Sequence, residues 1–270
     1  MKDIPIEVQK ALKSYFDKMD SQFPNLFHSF YLYGSISLGE YQDTYSDIDF
    51  VGIIHRKLSD IEQAKLQQIH EELQAEIPSI IFDGWYFVQE DFHLLQEKPA
   101  TGLRVNEGRI LGSVPYKKDS IDAFQLKVYG ITIKGLQASD LRFAPDWNIL
   151  LSNMKDNVNS YWVNLLNRSR MATIENIEDI EWAVLGISRL FYTFQERDII
   201  SKVGAGEYAM RNLPSKWHPI LQEAINYRKG NLESCYASKE IRSEDAKAYL
   251  EFLIQMCNEL YDKQESYAIE

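Results

Sequence analysis

Two aspartates separated by one residue, Asp47 and Asp49, stand at the head of the apolar run Phe50 to Ile54. Side chains at i and i+2 of a strand share a face, so the pair projects together while Ile48 and Phe50 turn the other way. Two carboxylates that close repel each other, and burial without a partner would raise their pKa values. A divalent cation resolves the conflict. Hard oxygen ligands suit Mg²⁺, which takes one or two carboxylates and fills its shell with substrate phosphates. Upstream, the apolar run Phe30 to Tyr33 stops at Gly34-Ser35. Glycine lets a phosphate approach the backbone, and serine offers a hydroxyl and an N–H. An isolated Asp-x-Asp also suits a solvated turn. The full order of strand, Gly-Ser, loop, Ser-Asp-Ile-Asp and strand is far more specific.

The elements that must hold these residues follow from period. A helix is expected over 5–19, with Ile6, Val8, Leu12 and Phe16 on one side. Residues 29–33 and 48–54 read as strands. A polar amphipathic helix spans 59–76, with Leu58, Ile61, Leu66, Ile69 and Leu73 inward. Residues 77–88 read as a third strand with a kink at Gly84, and 89–120 as irregular. The stretch 121–135 reads as a helix ending at Gly130, then a short strand. "RFAPDW" (142–147) is a Pro-bearing break, and beyond it only helical periods occur. Ile180, Val184, Ile187, Phe191 and Phe194 form one apolar stripe, and further helices are expected over 201–212, 215–228 and 243–263. The fold class is α+β: a mixed-sheet domain over 1–150, then an all-helical bundle over 151–270.

The chain has 270 residues, 45% hydrophobic and 26% charged, enough to bury a sizeable core. Its formal net charge is −11, with acidic residues in excess in both halves. That field disfavours nucleic acid and anionic lipid and favours a small cationic ligand. Cys235 and Cys257 are too few for a disulfide framework or zinc site and read as buried free thiols in a reduced compartment. The N-terminal segment lacks an apolar leader, and no run has the length of a membrane span. The expectation is a cytoplasmic monomer.

The Gly34, Ser35, Asp47, Asp49 constellation resembles the nucleotidyltransferase superfamily that includes DNA polymerase beta and kanamycin nucleotidyltransferase. That resemblance implies a third carboxylate on a later strand, and Asp83 in "IIFDGWYFV" is the candidate for catalytic base and metal ligand. By itself Asp83 reads equally well as a strand-end turn with Gly84. The second half, "ISRLFYTFQERDIISKVGAGEYAMRNLPSKWHPILQEAINYR" (187–228), resembles the C-terminal helical domain of the streptomycin- and spectinomycin-modifying aminoglycoside adenylyltransferases. The resemblance implies that Arg189, Lys202 and Tyr227 contact ATP from this domain, with Ser46 as a further nucleotide contact. Read alone, Arg189 and Lys202 are equally ordinary surface charges. It also implies that Asp179 and Glu175 face a cationic drug. The cluster Glu175, Glu178, Asp179 and Glu181 suits a helix start just as well.

Together these imply an enzyme that moves AMP from ATP to an aminoglycoside hydroxyl and releases pyrophosphate. Two Mg²⁺ ions would be held by Asp47, Asp49 and the phosphates. Two alternatives stay open: an adenylyltransferase acting on another small molecule or on a protein, as antitoxins of this fold do, and a non-catalytic interaction protein on the same scaffold. In the streptomycin-accepting enzymes a Trp after the third strand packs on the drug. Alignment puts Val105 near that position, so spectinomycin is the expected preference; equal or better use of streptomycin would point instead to Trp85 or Tyr116 in the aromatic role.

Overall fold

Alternating apolar residues make the strands of the first unit, and a positive backbone twist at a few turns joins them. The computed structural model describes residues 4–43, 45–167 and 176–268, in two units that meet in sequence at Asp146 and Trp147. The first holds a six-stranded sheet of β1 (Phe27–Leu32), β2 (Ile48–Ile54), β3 (Phe82–Val88), β4 (Ala100–Asn106), β5 (Arg109–Tyr116) and β6 (Ile131–Lys134), in the order β5-β4-β3-β2-β1-β6. Only β2 and β3 run parallel, joined by a helical crossover as parallel neighbours require. The helices of this unit are α1 (Ile6–Gln22), α2 (Gly34–Ser37), α3 (Asp60–Glu76), α4 (Gln89–His93) and α5 (Ile121–Tyr129).

The alternation sorts each strand between two cores. Ile48, Phe50, Phe82 and Tyr86 pack on one face with Val8, Tyr15, Leu66 and Ile69 of α1 and α3. Val51, Ile53, Trp85 and Phe87 pack on the other with Phe92, Tyr116, Ala123 and Leu126. α3 starts at a capping box, in which Ser59 accepts from the Glu62 N–H and Glu62 accepts from the Ser59 N–H. Within the first core, Tyr15 and Tyr86 share a 2.6 Å hydroxyl contact, and His70 Nε2 lies 2.8 Å from the Tyr86 hydroxyl.

Three expectations are corrected here. Ile6 and Ile61 are exposed, at 54% and 74%. The buried face of α1 is instead Val8, Ala11, Leu12, Tyr15 and Met19, and α3 buries Leu66, Ile69, His70 and Leu73. The stretch 89–120 is not irregular but contains α4 and the β4–β5 hairpin. Its two-residue turn is Glu107-Gly108, with φ of 50° and 72°. Such a turn needs positive φ twice, and glutamate in the first place hides the signal that Asn-Gly would give. Third, only Cys257 is buried, while Cys235 is exposed.

The second unit is helical throughout its described residues: α6 (Trp147–Asn157), a π-helical turn at Val158–Trp162, α7 (Val163–Asn167), α8 (Ile177–Glu196), α9 (Lys202–Asn212), α10 (His218–Arg228) and α11 (Lys239–Ala268). The stripe Ile180, Val184, Ile187, Phe191 and Phe194 is buried on α8 as expected, each at 0 or 1% exposure. Small residues let α9 come close. A Cβ on Gly206 would stand 2.8 Å from Leu185 of α8 and 2.9 Å from Ile225 of α10. Ser188 and Tyr249 share a 2.7 Å hydroxyl contact at the centre of this unit. No helix among the described residues is long and apolar enough to cross a membrane.

Candidate active site

At one end of the sheet, β1 finishes while β2 and β3 begin. Gly34 opens α2 directly after β1, with φ of 64°, a left-handed conformation that glycine adopts without strain. A Cβ at Gly34 would overlap Asp49 Oδ2, so glycine is required there on two grounds. The Gly34 carbonyl accepts from Ser37 Oγ at 2.9 Å and from Gln125 Nε2 at 3.2 Å, which ties α2 to α5. Ser46 is buried and its Oγ accepts from the Gln42 N–H at 3.1 Å, closing the loop ahead of the aspartates. Asp47 is exposed just before β2. Asp49 is half-buried and lies directly across from Asp83 in the parallel β2–β3 register. Asp49 and Asp83 therefore share the face of Val51 and Trp85.

Asp83 does not stand alone. Arg104 on β4 forms an ion pair with its carboxylate and donates to the Gly84 carbonyl at 3.0 Å. The guanidinium also lies 5.0 Å from the centre of the Trp85 ring. Burial pushes the Asp83 pKa up, opposed by the charge and hydrogen bond of Arg104 and by the Glu107 backbone N–H. Sequence reasoning missed Arg104 because its strand was not foreseen. Once β4 is known, the alternation Gly102, Arg104 against Leu103, Val105 assigns it to the site face. Val105 belongs to the opposite core and is fully buried, so it cannot be the wall beside a drug. Trp85 is 8% exposed and Tyr116 3%, packed edge to face at 5.1 Å, so neither offers an open ring.

The residues fit a magnesium-nucleotide. Among the described residues no three His, Cys, Asp or Glu side chains form a ready cage for a metal. Mg²⁺ needs no such cage, since phosphates and water complete its octahedron. Asp47 and Asp49 would supply the carboxylate oxygens, with Asp83 across from Asp49 in the register. Ser35 Oγ is buried without a hydrogen-bond partner, the kind of orphan that a bound phosphate oxygen satisfies.

The helical unit holds the remaining candidates. Arg189 is exposed on α8, and Lys202 occupies the first position of α9, after the N-cap Ser201. Tyr227 on α10 is buried and its hydroxyl donates to Glu178 at 3.0 Å. Asp179 is exposed in the first turn of α8. Glu175 lies outside the described residues. Sequence reasoning treated Glu181 as one more acid of a helix start and passed over Arg228. Glu181 is in fact buried, with Lys202 Nζ at 3.3 Å and Arg228 at 3.7 Å. Burial lowers the Lys202 pKa to about 8, against the opposing pull of Glu181 and with further lowering from Arg228 and Arg189.

Comparison with known proteins bears on both units. Residues 157–256 match the family described as aminoglycoside adenylyltransferase, C-terminal domain. The chain is similar in structure to the spectinomycin adenyltransferase AAD(9) from Enterococcus faecialis, crystallised with ATP and spectinomycin. The TM-score is 0.67 at 16% identity, over 90% of this chain and 99% of that one. No curated protein sequence matches the chain. The mixed-sheet unit followed by a helical unit thus shares its fold with that adenyltransferase, and residues 157–256 are similar to the C-terminal domain of aminoglycoside adenylyltransferases.

Proposed function

We propose that this protein adenylylates a hydroxyl of an aminoglycoside-type antibiotic, with ATP as donor and spectinomycin preferred to streptomycin. The observation that carries the reading is the register of Asp49 with Asp83 beside a glycine that could not be another residue. Two magnesium ions, held by Asp47 and Asp49 with the nucleotide phosphates, would neutralise charge on the α-phosphate and on leaving pyrophosphate. Gly34 and Ser35 present backbone and hydroxyl to the phosphates. Asp83 accepts the proton of the attacking hydroxyl as its oxygen bonds to the α-phosphorus. The bond from that phosphorus to the bridging oxygen breaks, and its electrons leave with pyrophosphate. Arg104 fixes the orientation of Asp83 and prevents free rotation of the carboxylate. Arg189, Lys202 and Tyr227 serve the nucleotide from the helical unit, with Ser46 as a further contact. Asp179 and Glu175 serve the drug.

The substrate preference rests on the face around Asp83. Trp85, the next residue along the strand on that face, is covered by a guanidinium. A cation there disfavours the guanidinium groups of streptomycin more than the smaller spectinomycin. The similar AAD(9) structure also holds spectinomycin. Mass spectrometry of spectinomycin after incubation with the protein, ATP and Mg²⁺ tests this reading. An adduct of one AMP less one water is expected. An unmodified drug, with streptomycin adenylylated in its place, would refute the preference, and the absence of adduct on any aminoglycoside would refute the acceptor class.

A further inference from the structure

Three of the chain's five histidines, His28, His55 and His93, come together from separate elements of the sheet unit. His28 lies on β1, His55 directly follows β2, and His93 ends α4. The ring centres of His28 and His55 are 5.5 Å apart and those of His28 and His93 6.4 Å, at interplanar angles of 83° and 89°. The backbone fixes this meeting. The His55 N–H donates to the Leu26 carbonyl at 3.0 Å, which holds the end of β2 beside the start of β1. Phe92, next to His93, is buried against Phe87 of β3 with ring centres 5.1 Å apart, which anchors α4 to the sheet. Arg56, the cation that follows His55, is turned to Glu62 at 2.6 Å.

Packing alone does not account for the cluster. His55 and His93 are exposed and His28 is half-buried, so the contact removes little apolar area from water. Three imidazoles are instead a nitrogen donor set. His28 Nδ1 lies 2.7 Å from the Oγ of Ser29, a buried residue. That contact orients the ring and leaves Nε2 for a metal, as outer contacts do for ligating histidines.

We infer that His28, His55 and His93 are the ligands of a zinc ion, with water in the fourth position, at the end of the sheet away from Asp49 and Asp83. Imidazole nitrogen selects Zn²⁺ over Mg²⁺, which takes oxygen. Two imidazoles that share a tetrahedral ion have ring centres about 5 Å apart. His55 already stands near that spacing from His28, and His93 stands farther off. The three rings form no ready cage as they lie; turns of the exposed His55 and His93 side chains close it. Bound there, the ion ties α4 to the neighbouring ends of β1 and β2. The inference is independent of the nucleotide reading, because Asp49 and His55 lie at opposite ends of β2, about 20 Å apart at the rise of an extended strand.

Calorimetric titration of the full chain with ZnCl₂ in phosphate-free buffer tests the inference, for the wild type and for Asp49→Asn, which weakens the carboxylate face. One Zn²⁺ per chain is expected to bind Asp49→Asn and to stay bound in a large excess of Mg²⁺. Adding His55→Ala or His93→Ala, both at exposed positions, should weaken that binding by at least the roughly tenfold that loss of an outer contact costs. Zn²⁺ should raise the Tm of Asp49→Asn and leave that of the triple variant Asp49→Asn, His55→Ala, His93→Ala unchanged. Co²⁺ in place of Zn²⁺ should give the visible absorption of a tetrahedral site with no thiolate charge-transfer band. Equal Zn²⁺ affinity in the triple variant and in Asp49→Asn overturns the inference, and so does the absence of Zn²⁺ binding or its displacement by Mg²⁺. A thiolate band overturns it as well, by assigning the metal to the exposed Cys235. Where an alanine variant does not fold, His55→Gln and His93→Gln carry the same comparison.

Discussion

The two units solve opposite electrostatic problems. In the sheet unit, Asp49 and Asp83 share one face, Asp47 lies just ahead of β2, and Arg104 is paired with Asp83. In the helical unit, Lys202 and Arg228, with Arg189 nearby, surround one buried glutamate. The first cluster is mainly acidic and the second mainly basic. The difference in scaffold matches the difference in task. Strand register holds the carboxylates to a fixed spacing, as positioning a reacting hydroxyl demands. The helical cations stand at 3.3 Å (Lys202) and 3.7 Å (Arg228) from Glu181.

The largest effect should come from removing the imbalance of the sheet cluster. Asp49→Asn, and separately Asp47→Asn, are expected to slow adenylyl transfer at least about 10³-fold, since metal charge stabilisation is worth several kcal/mol. Thermal melting should stay close to wild type, and a variant that unfolds would shift the effect from chemistry to packing. Asp83→Asn should lower kcat by about 10²-fold or more, with KM for ATP little changed. An equal loss carried in KM would assign Asp83 to ground-state binding, and the division of labour between the units would fail.

A third test sharpens the comparison by separating stability from the site. His70 is buried in the first core, and its pKa is pushed down to about 4 by burial. Below its ordinary value of about 6.5, the unfolded chain takes up a proton that the native fold refuses. Stability is therefore lost as pH falls from about 6.5 toward 4, by up to about 3 kcal/mol. Urea denaturation across that range should show the slope, and His70→Gln should flatten it at a cost of about 1 kcal/mol at neutral pH for the contact with Tyr86. The smallest effect is expected from Ser35→Ala, about fivefold in KM for ATP, because one hydroxyl contact to a phosphate is lost.

Much of this was legible in the sequence, for identifiable reasons. Asp49 heads a strand that alternates cleanly and Gly34-Ser35 follows another, so the two strands and the break between them could be read directly. Asp83 followed from family order, and its register with Asp49 required the structure. Arg104 was hidden by a hairpin whose turn is Glu107-Gly108. Val105 shows the consequence: one residue along a strand separates the site face from the opposite core. Glu181 was misread because a helix start rich in acids looks alike whether its members are solvated or buried. Burial beside Lys202 of α9 and Arg228 of α10 distinguishes it from the exposed Glu178 and Asp179.

The central claim is that this chain transfers AMP to a cationic antibiotic through the Asp47, Asp49 and Asp83 face. Pyrophosphate release from ATP and Mg²⁺ measures it most directly, for wild type and folded Asp49→Asn, across a panel of aminoglycosides. Release should depend on the acceptor, be fastest with spectinomycin, and fall at least about 10³-fold in the variant. Release at the wild-type rate by Asp49→Asn, or no acceptor in the panel that stimulates the wild type, would contradict it.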